Sequence, residues 1–96
     1  MSELFYEKTE KEANLQAEVI ELALTRGWFC QKVVFVGRRG CQDVVAIRRG
    51  RVVWIEVKRE GEEPRKQQAK VARDMQKHGA EVFAVDKIED ARKILQ

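Results

Sequence analysis

Residues 40–58 read GCQDVVAIRRGRVVWIEVK, and the two apolar runs in this stretch decide how the chain folds. Asp43-Val44-Val45-Ala46-Ile47 and Val52-Val53-Trp54-Ile55-Glu56-Val57-Lys58 are rich in β-branched residues and flank Arg48-Arg49-Gly50-Arg51, the pattern of a β-hairpin. Side chains alternate across a strand, so Trp54, Glu56 and Lys58 are expected on one face and Val53, Ile55 and Val57 on the other. The hairpin thus begins with an acid and ends with a carboxylate and an ammonium on one face. Folding alone has little use for three ionisable groups converging there. An Asp and a Glu that share a divalent cation, with a Lys beside them, suit phosphodiester hydrolysis.

Upstream, residues 9–26 place Leu15, Val19, Leu22 and Ala23 at helical spacing, widened by Ile20 and Leu24, and Gly27 supplies a stop. Glu12 falls on that apolar stripe. Thr9-x-x-Glu12 is also a capping box, in which Glu12 bonds back to the helix start. Residues 28–36 read as a first strand, interrupted by Gln31 and Lys32. Gly37-Arg38-Arg39-Gly40 then reads either as a solvated turn or as a close approach to phosphate. The ending Gly-Lys-Ser/Thr is missing, which excludes a P-loop and with it a nucleotide cofactor held that way.

Downstream, Glu60-Gly61-Glu62-Glu63 is a polar loop and Pro64 suits the first turn of a helix that stops at Gly79. Gln68, Val71, Ala72 and Met75 share its inner face, while Lys66, Lys70 and Arg73 fall toward solvent. A buried glutamine ordinarily satisfies a neighbouring backbone group. Residues 81–85 read as a strand, Asp86-x-x-Glu89 as a capping box, and Ile88, Ala91, Ile94 and Leu95 as the inner side of a last helix. The expected order is α-β-β-β-α-β-α, a small mixed sheet flanked by helices in an α/β fold.

Ninety-six residues, 44% apolar and 36% charged, allow one small soluble domain over residues 1–96 with a single core. A net charge of +3 is modest, so its distribution matters more than its total. Arg38, Arg39, Arg48, Arg49, Arg51, Lys58 and Arg59 cluster in or beside the hairpin and predict a local basic surface for DNA phosphates. Cys30 and Cys41 lack metal-ligand spacing and read as free thiols of a reducing compartment. No membrane-length apolar run or signal-peptide pattern is present, and a cytoplasmic location is expected. His78 precedes Gly79 and reads as a helix C-terminal charge, not a base.

Asp43, twelve intervening residues and Glu56-Val57-Lys58 resemble the D…(D/E)xK core of the PD-(D/E)xK nucleases. Glu12-x-x-Leu15-Gln16, Gly37-x-x-Gly40-x-x-Asp43, Ile55-Glu56-Val57-Lys58 and Gln68 resemble, more specifically, the virus-type replication-repair nuclease domain, VRR-NUC, over residues 12–85. Gln42 departs from it, standing where the family usually has a loop-shaping Pro. The resemblance implies a restriction-endonuclease-like core and a nuclease using Mg²⁺ or Mn²⁺. Asp43, Glu56 and the Val57 carbonyl would be ligands, Lys58 the catalytic lysine and Gln68 an active-site residue, with Glu12 an acid reaching the metal directly or through water. Stand-alone members resemble Holliday-junction resolvases, which implies structure-selective cleavage of branched DNA by a homodimer; apolar surface from Leu4, Phe5 and Tyr6 or from helix one is the expected interface. Cleavage of flaps or linear duplex, a nucleic-acid-binding module without catalysis, and a metal-free regulatory protein are the competing readings.

Overall fold

The computed structural model describes residues 10–34, 43–58 and 66–96. Along the chain come α1 (Glu10–Thr25), β1 (Phe29–Lys32), β2 (Val44–Arg48), β3 (Arg51–Val57), α2 (Lys66–Lys77), β4 (Glu81–Val85) and α3 (Ile88–Ile94), the order read from the sequence. The strands form one sheet in the order β1-β2-β3-β4. The first two pairings are antiparallel, and β3 pairs with β4 in parallel. A parallel pair requires a crossover, and α2 supplies it.

The hairpin register runs from Val44 opposite Ile55 to Arg48 opposite Arg51, so only Arg49 and Gly50 form the loop. Both have positive φ, 53° and 84°. That pair of left-handed residues is the type I′ turn, whose twist matches the strands it joins.

Alternation along β3 sorts its residues as expected. Val53, Ile55 and Val57 are fully buried in the core with Val19 and Ala23 of α1 and Ala91 and Leu95 beside α3. Glu56 projects the other way, where α2 lies against β4 and meets it with Gln68. Helices therefore cover both faces. At the end of α1, Gly27 takes φ 85°. Trp28 then donates its N–H to the Ala23 carbonyl at 2.9 Å and Gly27 to Leu24 at 3.1 Å, the Schellman closure that turns the chain into the sheet. The end of α2 closes in the same way, with Ala80 donating to Met75 and Gly79 to Gln76.

Two expectations are corrected. The first strand is shorter than residues 28–36: β1 is Phe29–Lys32, because the Trp28 N–H is engaged in closing α1. Gln31 and Lys32 stand inside this edge strand with exposed side chains, Gln31 on the wet face with Phe29 and Lys32 at the strand's end. The N-cap of α3 falls on Lys87, one residue after the expected Asp86, in an extended conformation and without a cap bond from the Lys87 side chain.

Across the open part of the sheet, Phe29, Ile47 and Val52 are cross-strand neighbours in one row, and all three are exposed. Among the described residues no helix is long and apolar enough to cross a membrane.

Candidate active site

Asp43 precedes the first residue of β2 and is tied down on both sides. Its carbonyl accepts from the Val33 N–H at 2.7 Å, and its own N–H donates to the Ile55 carbonyl at 3.1 Å. The carboxylate then accepts from the Val57 N–H at 3.1 Å through Oδ2. These bonds bracket Glu56, so the start of β2 and the end of β3 bring the two acids to the same end of the sheet.

Glu56 and Lys58 are two residues apart on one edge of the same strand direction and on the same side of it, and both are nearly inaccessible, at 2% and 1% exposure. Removing a carboxylate and an ammonium from water costs several kcal/mol per ion unless each is paired and hydrogen-bonded. The fold meets that requirement with one glutamine. Gln68 Nε2 donates to Glu56 Oε2 at 2.8 Å, and Gln68 Oε1 accepts from Lys58 Nζ. The same Glu56 oxygen lies 3.6 Å from Lys58 Nζ. A carboxamide suits this place because it carries a donor and an acceptor at one end. Gln68 is therefore not the buried glutamine that satisfies backbone, and Lys58 is not a surface lysine. Its backbone N–H donates to the Val85 carbonyl at 2.8 Å, which extends β3 one residue further alongside β4.

Glu12 is fully buried in the first turn of α1, and Gln16, one turn later, is 6% exposed. The other end of α1 packs at Trp28, over whose ring the guanidinium of Arg48, next to the hairpin turn, lies at 4.6 Å. Eleven residues of helix back from Ala23 is about 16 Å. Glu12 therefore lies toward the end of the sheet that holds Asp43 and Glu56. Among the described residues, no three Asp, Glu, His or Cys side chains are gathered into a metal-binding group. The Gln16 Nε2 is buried and has no hydrogen-bond partner among the described residues. Its signal in the sequence is the four-residue spacing from Glu12, which puts the two on one face of the helix.

The expected basic surface changes at the hairpin. Arg48 donates to the carbonyls of Arg26 and Gln96 besides stacking on Trp28. Arg51 makes a two-point pair with Glu81, both bonds 2.8 Å, and reaches the Ile94 carbonyl at 3.5 Å. Arg26 donates to the Arg92 and Leu95 carbonyls at 2.8 and 3.2 Å. These guanidinium groups satisfy the carbonyls that the end of α3 leaves without helical partners. The Arg48 and Arg51 end of the hairpin lies about 17 Å from Glu56 at 3.3 Å per strand residue. Arg48 and Arg51 thus stand apart from the acids, while Arg49 is exposed at the turn. Arg38, Arg39 and Arg59 lie outside the described residues, as do Cys41, Thr9, Pro64 and the segment Leu4-Phe5-Tyr6.

Two further groups are set aside by their surroundings. Burial pushes the Cys30 thiol up to about 11, so it is protonated and inert at neutral pH. His78 is exposed after the last turn of α2, with Nδ1 2.8 Å from the Asp74 carbonyl.

No protein-family model and no curated protein matches the chain. A solved structure described as a "VRR_NUC domain" does: it superposes with a TM-score of 0.82 at 28% identity, over 90% of this chain and 95% of that one. That likeness supports a VRR-NUC domain. The match supports a nuclease-family domain, and among the described residues the four-stranded mixed sheet with three helices is consistent with the α/β nuclease core expected from the sequence.

Proposed function

We propose that this VRR-NUC domain is a Mg²⁺- or Mn²⁺-dependent endodeoxyribonuclease selective for branched DNA such as Holliday junctions. The observation that carries the reading is the buried Glu56–Gln68–Lys58 bridge at the strand end that also holds Asp43.

The donor set suits the ion. Asp43 and Glu56 contribute carboxylates and Val57 a backbone carbonyl, all hard oxygens, with Glu12 as a further acid from α1. When bound, the ion would supply Lewis-acid polarisation of a phosphate oxygen and of an attacking water.

The rest is the work of the chain. Lys58 is held by Gln68 beside Glu56, where its ammonium can donate to a phosphate oxygen as negative charge grows on it. As the new P–O bond forms, the attacking water gives up a proton, the ester P–O bond opposite breaks, and the departing oxygen takes a proton. Gln68 keeps Lys58 and Glu56 in register through that change. The low exposure of the trio removes competing water and strengthens each interaction.

Branched DNA is the substrate proposed because cations that meet backbone phosphates position a duplex by its shape and carry no base-sequence information. The proposal includes a homodimer, in which two-fold symmetry presents one site to each of two symmetric strands. The exposed row Phe29, Ile47 and Val52 and the exposed Leu24 of α1 offer apolar surface for it.

The competing reading is a DNA-binding or regulatory module in which Glu56 and Lys58 are an ion pair and nothing more; the 3.6 Å pair is its support. Labelled linear duplex, flap and four-way junction DNA, incubated with and without Mn²⁺ beside Asp43→Ala and Lys58→Ala, separates the two. Cleavage of the junction by the wild type alone, with metal alone, is the expected result. Absence of cleavage of all three substrates, with Mn²⁺ binding undetectable by calorimetry, would end the nuclease proposal. Gel filtration with the junction tests the dimer.

A further inference from the structure

With Arg48 and Arg51 engaged near the end of α3, α2 offers a second positive surface among the described residues. On α2, Lys66, Lys70, Arg73 and Lys77 follow one another at spacings of four, three and four residues. At 3.6 residues per turn these spacings hold the four side chains within a sector of about 60°. All four are exposed, on the side of the helix away from the buried Gln68 and Val71. None makes an ion pair or a side-chain hydrogen bond with another described residue. Arg48 and Arg51 differ in this respect: their guanidinium groups are engaged by Arg26 and Gln96 and by Glu81 and Ile94. Asp74 of the same helix sits at the flank of the row, with a carboxylate oxygen 3.8 Å from His78.

A second observation ties this row to the acids. A cavity runs between α2 and β4, lined by Glu56, Gln68, Ala69, Ala72, Arg73 and Gln76 among others. Glu56 and Gln68 are its buried polar members and Arg73 an exposed one, so Arg73 belongs both to the cavity and to the row. Ala69 and Ala72, small side chains on the same helix, also line it. The row and the candidate site are thereby continuous on one helix.

We infer that the Lys66–Lys70–Arg73–Lys77 ridge of α2 is a nucleic-acid track that holds the phosphodiester backbone of the strand entering the site at Glu56. The inference rests on the nuclease reading for the direction of entry, but not for the binding itself. A row of single cations about 5 Å apart and about 16 Å long fits a polymer with repeating charges, not one compact anion, for which the cations would have to converge. The ridge lacks the large apolar residues with which an interfacial helix enters a membrane. Phosphate recognition of this kind carries no sequence information, as structure-selective binding requires.

The test is binding of a fluorescent 20-base-pair duplex and of a four-way junction without metal, over a salt series. It compares wild type, a quadruple variant (Lys66→Gln, Lys70→Gln, Arg73→Gln, Lys77→Gln) and Lys93→Gln on α3 as a charge control. For every phosphate that the protein no longer neutralises, the slope of log K against log salt should flatten by about 0.9. The quadruple variant should lose most of the wild-type slope and bind at least tenfold more weakly at low salt, with its melting temperature unchanged because all four side chains are exposed. Lys93→Gln should match wild type. A folded quadruple variant with wild-type affinity and slope overturns the inference. So does displacement of the duplex by polyglutamate as effectively, charge for charge, as by unlabelled DNA. A wild type that binds with this slope but cuts nothing retains the ridge and removes the nuclease reading.

Discussion

Gln68 donates from Nε2 to Oε2 of Glu56 over 2.8 Å, and this one bond couples the crossover helix to the strand that carries the buried charges. The carbonyl of the same carboxamide accepts from Lys58. A single uncharged side chain on α2 thereby sets where both charges point.

Gln68→Ala is expected to lower the single-turnover cleavage rate by about 10- to 100-fold, at or below the contribution of a positioned acid–base group. It should also destabilise the fold by about 1–3 kcal/mol, the cost of removing one partner from a buried hydrogen bond. Gln68→Glu should be worse on both counts, since it puts a second carboxylate against Glu56. Rates with Mn²⁺ and urea midpoints measure the two effects separately. A Gln68→Ala protein that cuts at the wild-type rate would show that the bridge serves packing alone.

Arg48→Ala should lower stability by about 1–3 kcal/mol, by removing the stacking on Trp28 and the charged hydrogen bonds to two carbonyls. Its DNA affinity and salt slope should stay at wild-type values, because the guanidinium is committed at the α3 end of the sheet. Urea melts followed by Trp fluorescence, beside the binding series, check both halves. A flattened slope would return Arg48 to the DNA surface expected from the sequence.

Gly50→Ala isolates a backbone effect. A Cβ at Gly50 meets nothing within 4 Å, so no clash enters, but φ stays at 84°. The left-handed conformation should cost about 1–2 kcal/mol. Denaturant unfolding should show a lower midpoint with the slope preserved. An unchanged midpoint would mean that the hairpin can adopt another turn.

The Arg51–Glu81 pair predicts a pH dependence with a definite sign. The two hydrogen bonds from Arg51, and then its charge, hold the Glu81 carboxyl below the usual carboxylate range. A carboxylate depressed on folding contributes stability above its unfolded value of about 4.3 and loses it as pH falls through the lower folded value. Both side chains are exposed by more than 40%, so the effect is small and screened by salt. Melting temperatures of wild type and Glu81→Gln should differ slightly at pH 7 and converge in acid. A difference that grows on acidification would contradict the assignment.

Much of the architecture was legible along the chain because it depends on local periodicity. Two β-branched runs around Arg49-Gly50 can make little but a tight hairpin, and the three-four spacing of Leu15, Val19, Leu22 and Ala23 forces a helix. The ends of elements were less legible. The first strand gave up Trp28 to a helix closure, and Asp86 missed the cap of α3 by one residue; both depend on which hydrogen bonds form nearby, and composition does not encode that choice.

By itself the sequence determined the element order, the alternation that puts Glu56 and Lys58 on one side of the strand and Val57 on the other, and the presence of Asp43 at the start of the partner strand. These follow from periods of 2 and 3.6 residues and need no knowledge of distant neighbours. Only the tertiary structure decided that Gln68 stands between Glu56 and Lys58, that Arg48 and Arg51 serve the end of α3, and that Arg73 of the cation row lines the same cavity as Glu56. A charged side chain looks the same in sequence whether it faces a carbonyl, a carboxylate or water, and its partner is chosen by residues brought close only when the sheet closes and the helices pack on it.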